Sequence, residues 1–233
     1  MESRKLQLQP RLQMLADLVP VGAKLADVGT DHGYLPVWLL QEGRISRAIA
    51  SDINREPLEH ACRTAAEYGV SERIDFRLGA GLEKIRPDEA DTIAIAGMGG
   101  ETIQTILVTA PWTKEHGVKL LLQPMTKVEM LRTWLADNGY YFTGEHLVFD
   151  KDFLYPIFCI SGGAQQKLTE EDAYGGVLLN GDPLYGTYLE QQICKLQRRI
   201  DGLRRSESAV SQTEAARLED LRLALAKRRE ETL

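Results

Sequence analysis

Residues 24–36 read Lys-Leu-Ala-Asp-Val-Gly-Thr-Asp-His-Gly-Tyr-Leu-Pro. The short apolar run Leu25-Ala26-Asp27-Val28 meets Gly29 and then Gly33, and a second apolar segment, Tyr34 to Leu40, follows. This is the pattern of a buried strand, a tight glycine turn and a helix entry. Such a turn aims backbone N–H groups and a helix N-terminus at a bound ligand.

Two ligand classes use that geometry. Dinucleotides need a pyrophosphate cradle of the form G-x-G-x-x-G. S-adenosylmethionine (SAM) is a cation without a phosphate, and an acid followed by glycines suits it. Here the order is Asp27-Val28-Gly29-Thr30-Asp31-His32-Gly33, with Asp31 where a second phosphate-cradling glycine would stand. Carboxylates at Asp27 and Asp31 favour an amine and a sulfonium over a pyrophosphate. A second apolar run, Ala48-Ile49-Ala50-Ser51, ends in Asp52, about 20 residues further on, where ribose hydroxyls are held in nucleoside-binding α/β folds. A carboxylate there repels a ribose 2′-phosphate, which argues against NADP but not against NAD.

Outward from this stretch, strand-like and helix-like segments alternate. Strands are expected at Lys24–Asp27, Arg47–Asp52, Ile74–Leu78, Asp91–Ala96 and Lys119–Gln123. Helices are expected from Tyr34 to Gln41, from near Pro57 to Gly69, from Gly100 to Leu107 and from Lys127 to Asn138, with Leu8, Leu12, Leu15 and Leu18 marking one more at the start. Tyr140–Phe149 and Leu154–Ser161 read as a hairpin. Alternation gives a parallel sheet, and a terminal hairpin is how the class I methyltransferase sheet ends. Past Gly162-Gly163 the pattern changes to a short helix near Glu170–Leu178, capped by Thr169. A heptad seam follows on Leu189, Ile193, Leu196, Ile200 and Leu203, then on Ala215, Leu218, Leu221 and Leu225. The expected organisation is an α/β domain over 1–163 and an all-α helical hairpin over 164–233. The hairpin either closes on itself or recruits a partner to form an oligomer.

The chain of 233 residues carries a net charge of −6. A polyanion ligand therefore requires segregated basic residues. Arg4, Lys5 and Arg11 fall on the expected exposed side of the first helix. Lys195, Arg198, Arg199, Arg204 and Arg205, with Lys227-Arg228-Arg229, cluster in the hairpin. They form either a phosphate-tracking stripe or the mixed-charge faces of a coiled coil. No apolar stretch is long enough to span a membrane, the first 13 residues show no apolar core of a leader, and the cytoplasm is the expected compartment. Cys62, Cys159 and Cys194 are too far apart in sequence for a C-x-x-C motif. No metal is expected from the spacing of His32, His60, His116 and His146.

In an open α/β sheet the ligand crosses the carboxyl ends of the central strands. Five loops there supply the candidate residues. They are Asp31-His32-Gly33-Tyr34-Leu35, Asp52-Ile53-Asn54, Gly79-Ala80-Gly81-Leu82, Ala96-Gly97-Met98-Gly99 and Gln123-Pro124-Met125. The third resembles the methyltransferase loop that sandwiches the SAM adenine. The fourth lacks the D/N-P-P-Y/F of amino-methylating enzymes, so a substrate base is expected to meet backbone groups at Gly97 and the side chains of Tyr34, Met98, Gln123 and Met125, together with Gly99 and Pro124.

Three segments carry a closer likeness: TDHGYLP at 30–36, IAGMGGETI at 95–103 and LLQP at 121–124. With the helical hairpin, they resemble the bacterial tRNA (adenine-22-N1)-methyltransferases, the TrmK family. The resemblance implies a Rossmann-like class I methyltransferase fold, a C-terminal coiled-coil-like domain, SAM as donor and N1 of an adenine in the tRNA D-arm as acceptor. Asp31 is then the candidate catalytic residue, or binds only the SAM amine. Two departures bear on the acceptor rather than on fold or donor: Ala80 replaces the usual Asp of G-D-G-L, and Met125 replaces the usual Asn of Q-P-N.

Overall fold

The computed structural model describes residues 5–164 and 166–232. Arg4, one of the expected RNA-contacting residues, lies outside them. The sheet has seven strands in the order β3-β2-β1-β4-β5-β7-β6. The strands are β1 (Leu25–Val28), β2 (Ala48–Asp52), β3 (Ile74–Leu78), β4 (Thr92–Gly99), β5 (Lys119–Thr126), β6 (Tyr140–Asp150) and β7 (Phe153–Gly162). The first five run parallel, and the terminal hairpin joins β5 antiparallel through β7. β1 and β2 are buried along their whole length, as befits strands covered on both faces.

Because side chains alternate across a strand, neighbouring residues feed opposite cores. Leu25, Ala48, Ala94 and Leu121 pack with α1 (Pro10–Leu18), α2 (Tyr34–Gln41) and α3 (Arg55–Glu67). Ala26, Ile49, Ile93, Leu120 and Leu122 pack with α4 (Gly100–Val108) and α5 (Val128–Asp137) on the other face. The chain runs from β1 outward to β2 and β3, then crosses back to β4 on the other side of β1. That switch point opens a cleft at the carboxyl ends of the strands.

Two boundaries differ from expectation, and both shape the cleft. Gly97-Met98-Gly99 and Gln123-Pro124-Met125, expected as loops, are paired strand: Met98 faces Pro124 and Gly99 faces Thr126 across register shifts. Gly97 adopts φ 75°, which lets β4 bulge. Pro124 has no N–H to donate, and the β5–β7 ladder ends just before it, at Leu122 and Phe158.

After the sheet come α6 (Glu170–Gly175), α7 (Tyr185–Arg204) and α8 (Ala209–Glu230). Thr169 and Asp172 form a reciprocal capping box on α6. The hairpin connection is the short segment 205–208, since α7 ends at Arg204 and α8 begins at Ala209. Seam residues Leu189, Leu196, Ile200, Ala215, Leu218, Leu221 and Leu225 are buried within the chain, together with Leu147 and Leu154 of the sheet hairpin. The joint between sheet and helices is ionic. Arg132 of α5 and Glu145 of β6 are both fully buried, 2.8 Å apart. Arg132 also donates to the Ala173 carbonyl and Tyr188 hydroxyl, and Glu145 accepts from the backbone N–H groups of Val177 and Leu178.

Candidate active site

The cleft has a volume of about 1010 Å³ and is bounded by α1, the ends of β1, β2 and β4, the segment Gly79–Gly81 and the first turns of α4. Its floor is the glycine turn after β1, from Asp27 to Asp31. Gly29 and Thr30 donate their N–H groups to the Ser51 carbonyl, which ties the turn to β2. Gly29 and Gly33 take φ 72° and 68°, a region open to glycine at no steric cost. A Cβ on Gly33 would stand 3.0 Å from that of Ala61, so the second glycine lets α3 close on the turn. Between them Asp31 is left-handed at φ 50°, a conformation that Asp tolerates better than most residues.

Three carboxylates surround the turn in different environments. Asp27 is 6% exposed and accepts a hydrogen bond of 2.6 Å from the Thr30 hydroxyl. Burial pushes its carboxyl up to about 6, against the Thr30 bond, with the nearby Asp52 charge adding to the rise. Asp52, 8% exposed at the end of β2, accepts from the Asn54 N–H at 2.9 Å. The Asp31 side chain is 67% exposed at the rim, 3.7 Å from His32.

His32 continues into an aromatic column. It stacks on Tyr34 at 5.2 Å and on His60 of α3 at 5.0 Å. Asp31, His32 and His60 bring three metal-capable atoms within 4.8 Å of one another. The two imidazole planes lie only 8° from parallel, so their in-plane lone pairs run side by side and do not converge on a point.

The far side of the cleft is organised by Gln123, which is fully buried. Its Oε1 accepts from the Gly97 N–H at 3.0 Å and from Arg11 at 3.2 Å, and its Nε2 donates to the Pro124 carbonyl. Arg11 differs from expectation. It does not lie on the outer side of α1; it reaches inward to Gln123, Met125, Asp150 and the Tyr155 ring, across the gap where β5 and β7 part.

Of the other candidates, Leu35, Ile53, Asn54, Ala80, Ala96 and Met98 also line the cleft. Leu82 does not: it packs into the core beneath Gly81. Gly33, Gly99, Gln123 and Pro124 do not line it either. Thr30 and Ser51, which bind Asp27 and the turn, were missed, as were Thr102 and Thr105 on α4. The Thr30 contact was detectable in principle, since a hydroxyl three residues after Asp27 across a tight turn falls within its reach.

Most of the described basic candidates are held in ion pairs. Lys5 pairs with Glu42, Arg199 with Glu214, and Arg204 with Glu219. Arg228 and Arg229 pair with Asp172 and Glu190. Lys195, Arg198 and Arg205 are exposed and make no ion pair among the described residues.

A family model described as a methyltransferase domain matches residues 8–158. The tRNA (adenine(22)-N(1))-methyltransferase of Bacillus subtilis (strain 168) is 34% identical over 188 residues, 81% of this chain and 77% of its own. A putative tRNA (m1A22) methyltransferase from Streptococcus pneumoniae, solved with S-adenosyl-L-methionine, superposes with a TM-score of 0.80 at 30% identity, over 93% of this chain and 97% of that one. TrmK of M. capricolum, solved with S-adenosyl-homocysteine, also gives 0.80, at 26% identity over 99% and 100%. Relatives solved with the donor or its product thus superpose over nearly the whole chain, and the protein belongs to the TrmK family of tRNA (adenine-22-N1)-methyltransferases.

Proposed function

We propose that the protein transfers a methyl group from SAM to N1 of adenine 22 in tRNA. The observation that carries this reading is the pair of buried carboxylates, Asp27 and Asp52, on either side of the Gly29 turn at the sheet's switch point. The donor set fits SAM. Asp27 is a carboxyl whose ionisation burial opposes, and a cation nearby favours its charged form. Asp52 presents acceptors for ribose hydroxyls, and the α2 N-terminus at Tyr34 and Leu35 favours a carboxylate. Gly79–Gly81 offers backbone to an adenine ring, with Ala80 contributing no side-chain hydrogen bond.

SAM supplies an electrophilic methyl carbon. The chain's residues do the positioning, which is the main source of rate in a one-step displacement. Adenine N1 has a free in-plane lone pair, so the attack needs no prior deprotonation. The Gly97 backbone, pinned by Gln123, with Met98, Met125 and Tyr34, forms the wall against which the base lies. N1-methylation leaves the base positively charged. Asp31, at the rim, offsets that charge and accepts a proton from N6. Lys195, Arg198 and Arg205 meet the phosphates.

The test is incubation with labelled SAM and unmodified tRNA transcripts carrying adenine or guanine at position 22, followed by nucleoside mass spectrometry. The expected product is 1-methyladenosine in the adenine transcript alone. The ion pairing of Arg199, Arg204, Arg228 and Arg229 favours a second reading, a small-molecule acceptor. SAM binding with no transfer to either transcript supports that one.

A further inference from the structure

The methyl-transfer chemistry makes no use of the most exposed aromatic feature near the cleft, the tip of the β6–β7 hairpin. Phe149 is 40% exposed and Phe153 is 63% exposed. They flank a two-residue turn, Lys151-Asp152, with Lys151 at φ 56°. The ladder is paired out to Asp150 and Phe153, so the phenyls stand on a hydrogen-bonded ribbon and not on a loop.

Register places the two rings on opposite faces. Asp150 lies opposite Phe153 and Val148 opposite Tyr155, while Phe149 lies opposite Leu154. One face carries Val148, Asp150, Phe153 and Tyr155, and its inner part packs with α1. The other carries Leu147, Phe149 and Leu154, and its inner part packs with the helical tail. Each face ends in an uncovered phenyl. β7 runs antiparallel to β5, so this tip stands at the carboxyl end of the parallel strands, beside the cleft. Arg11 connects the two directly, touching Asp150 and Tyr155 on the hairpin and Gln123 and Met125 in the cleft wall.

Resting on the function proposed above, we infer that this tip is an RNA wedge. When the target adenine leaves its stem for the cleft, Phe153, the more exposed ring, enters the stack it vacates and Phe149 covers a neighbouring base. N1 lies on the edge used in base pairing, so the base must come out of the helix before it reacts. Apolar side chains inserted at a base step hold such openings. The occupant is a stacked nucleic acid and not a second copy of this chain. The two rings stand on opposite faces of one ribbon, so each can cover a different base, whereas a flat self-interface needs its apolar side chains on one face.

The test compares the full-length wild-type chain with Phe149→Ala/Phe153→Ala on two tRNA transcripts, one native and one in which the nucleotide opposite the target adenine is deleted. A third transcript carries 2-aminopurine at the target position and reports unstacking by fluorescence on binding. Neither side chain lines the cleft, so SAM affinity is expected to match wild type, with at most a small drop in melting temperature from the partly buried Phe149. Stacking interactions of this kind set an expected loss in kcat/KM of about tenfold or more on the native transcript. The 2-aminopurine rise should also be lost, activity on the deleted-partner transcript should be near wild type, and Phe149→Trp/Phe153→Trp should retain function. Equal loss on both transcripts, no loss on either, or a wild-type dimer that the Ala variant splits with base opening intact would overturn the wedge. If wild type forms no 1-methyladenosine on any transcript, the proposed function fails and the wedge with it. Wild-type methylation alongside an unimpaired variant overturns the wedge alone.

Discussion

Replacing Asp27 with Asn should stabilise the protein at neutral pH while weakening its hold on SAM. In the fold the Asp27 carboxyl is raised from 3.8 to about 6, chiefly by burial. That difference corresponds to ~3 kcal/mol spent on carrying the charge in the folded chain. Between the two values the folded protein holds a proton that the unfolded chain has released. The contribution to stability is therefore complete below pH 3.8 and is lost as pH rises through about 6. At pH 7.5 the wild type carries the whole penalty. The substituted amide would have no charge and would keep an acceptor for the Thr30 hydroxyl, whose bond to Asp27 is 2.6 Å long. The variant should then melt up to ~6 °C higher at pH 7.5, at ~2 °C per kcal/mol for a chain of this size. Its melting curve should converge with wild type below about pH 4. Titration calorimetry should show the opposite order for ligand: SAM affinity should fall in the variant, and in wild type it should fall as pH drops below about 6, with proton release on binding. Differential scanning fluorimetry from pH 4 to 8 tests the stability side. A variant that melts below wild type at pH 7.5, or a difference that does not change with pH, would refute the assignment of a costly buried charge to Asp27.

Glu145→Ala removes the partner of fully buried Arg132 and should cost about 3–5 kcal/mol, read as a lower urea midpoint. Arg132→Met/Glu145→Leu should recover much of that loss, and a double variant less stable than the single would contradict the account. At Gly100 a Cβ would fall 2.6 Å from the Lys127 carbonyl and 3.0 Å from that of Thr126, so Gly100→Ala should destabilise by about 1–3 kcal/mol. Gly202→Ala meets nothing within 4 Å on α7 and should stabilise by up to ~1 kcal/mol. Denaturant unfolding of the pair checks both signs. Arg198→Gln/Arg205→Gln should lower the slope of log K for tRNA against log salt by about 0.7–0.9 for each phosphate left unneutralised. Arg199→Gln/Arg204→Gln, which removes side chains already paired with Glu214 and Glu219, should change it less; equal slopes in filter-binding assays would show that the pairs open on RNA.

Features that depend on neighbours within a turn or a strand were legible in the chain itself. The run from Leu25 to Leu40 contains strand, glycine turn and helix in order, and α2 begins and ends where its apolar segment does. The heptads on α7 and α8 predicted their buried seam, because a helix presents every third or fourth residue to one side. Distant partners decided the remainder. Glycines at 97 and 99 and a proline at 124 read as loop, yet both segments are strand, because the buried Gln123 amide catches the Gly97 N–H. Arg11 belongs to the outer side of α1 by helical period, but its long side chain turns in toward acceptors on β5 and β6. Arg132 and Glu145 look like surface charges in sequence, and only packing shows that α5, the hairpin and the tail meet around them. Apart from the ends of β4 and β5, local pattern determined the main helices and strands, since that choice depends mostly on residues a few positions apart. Which polar groups are buried together, and so where the charges of the cleft lie, was decided only by the tertiary structure, because burial brings together side chains that share no neighbourhood in the chain.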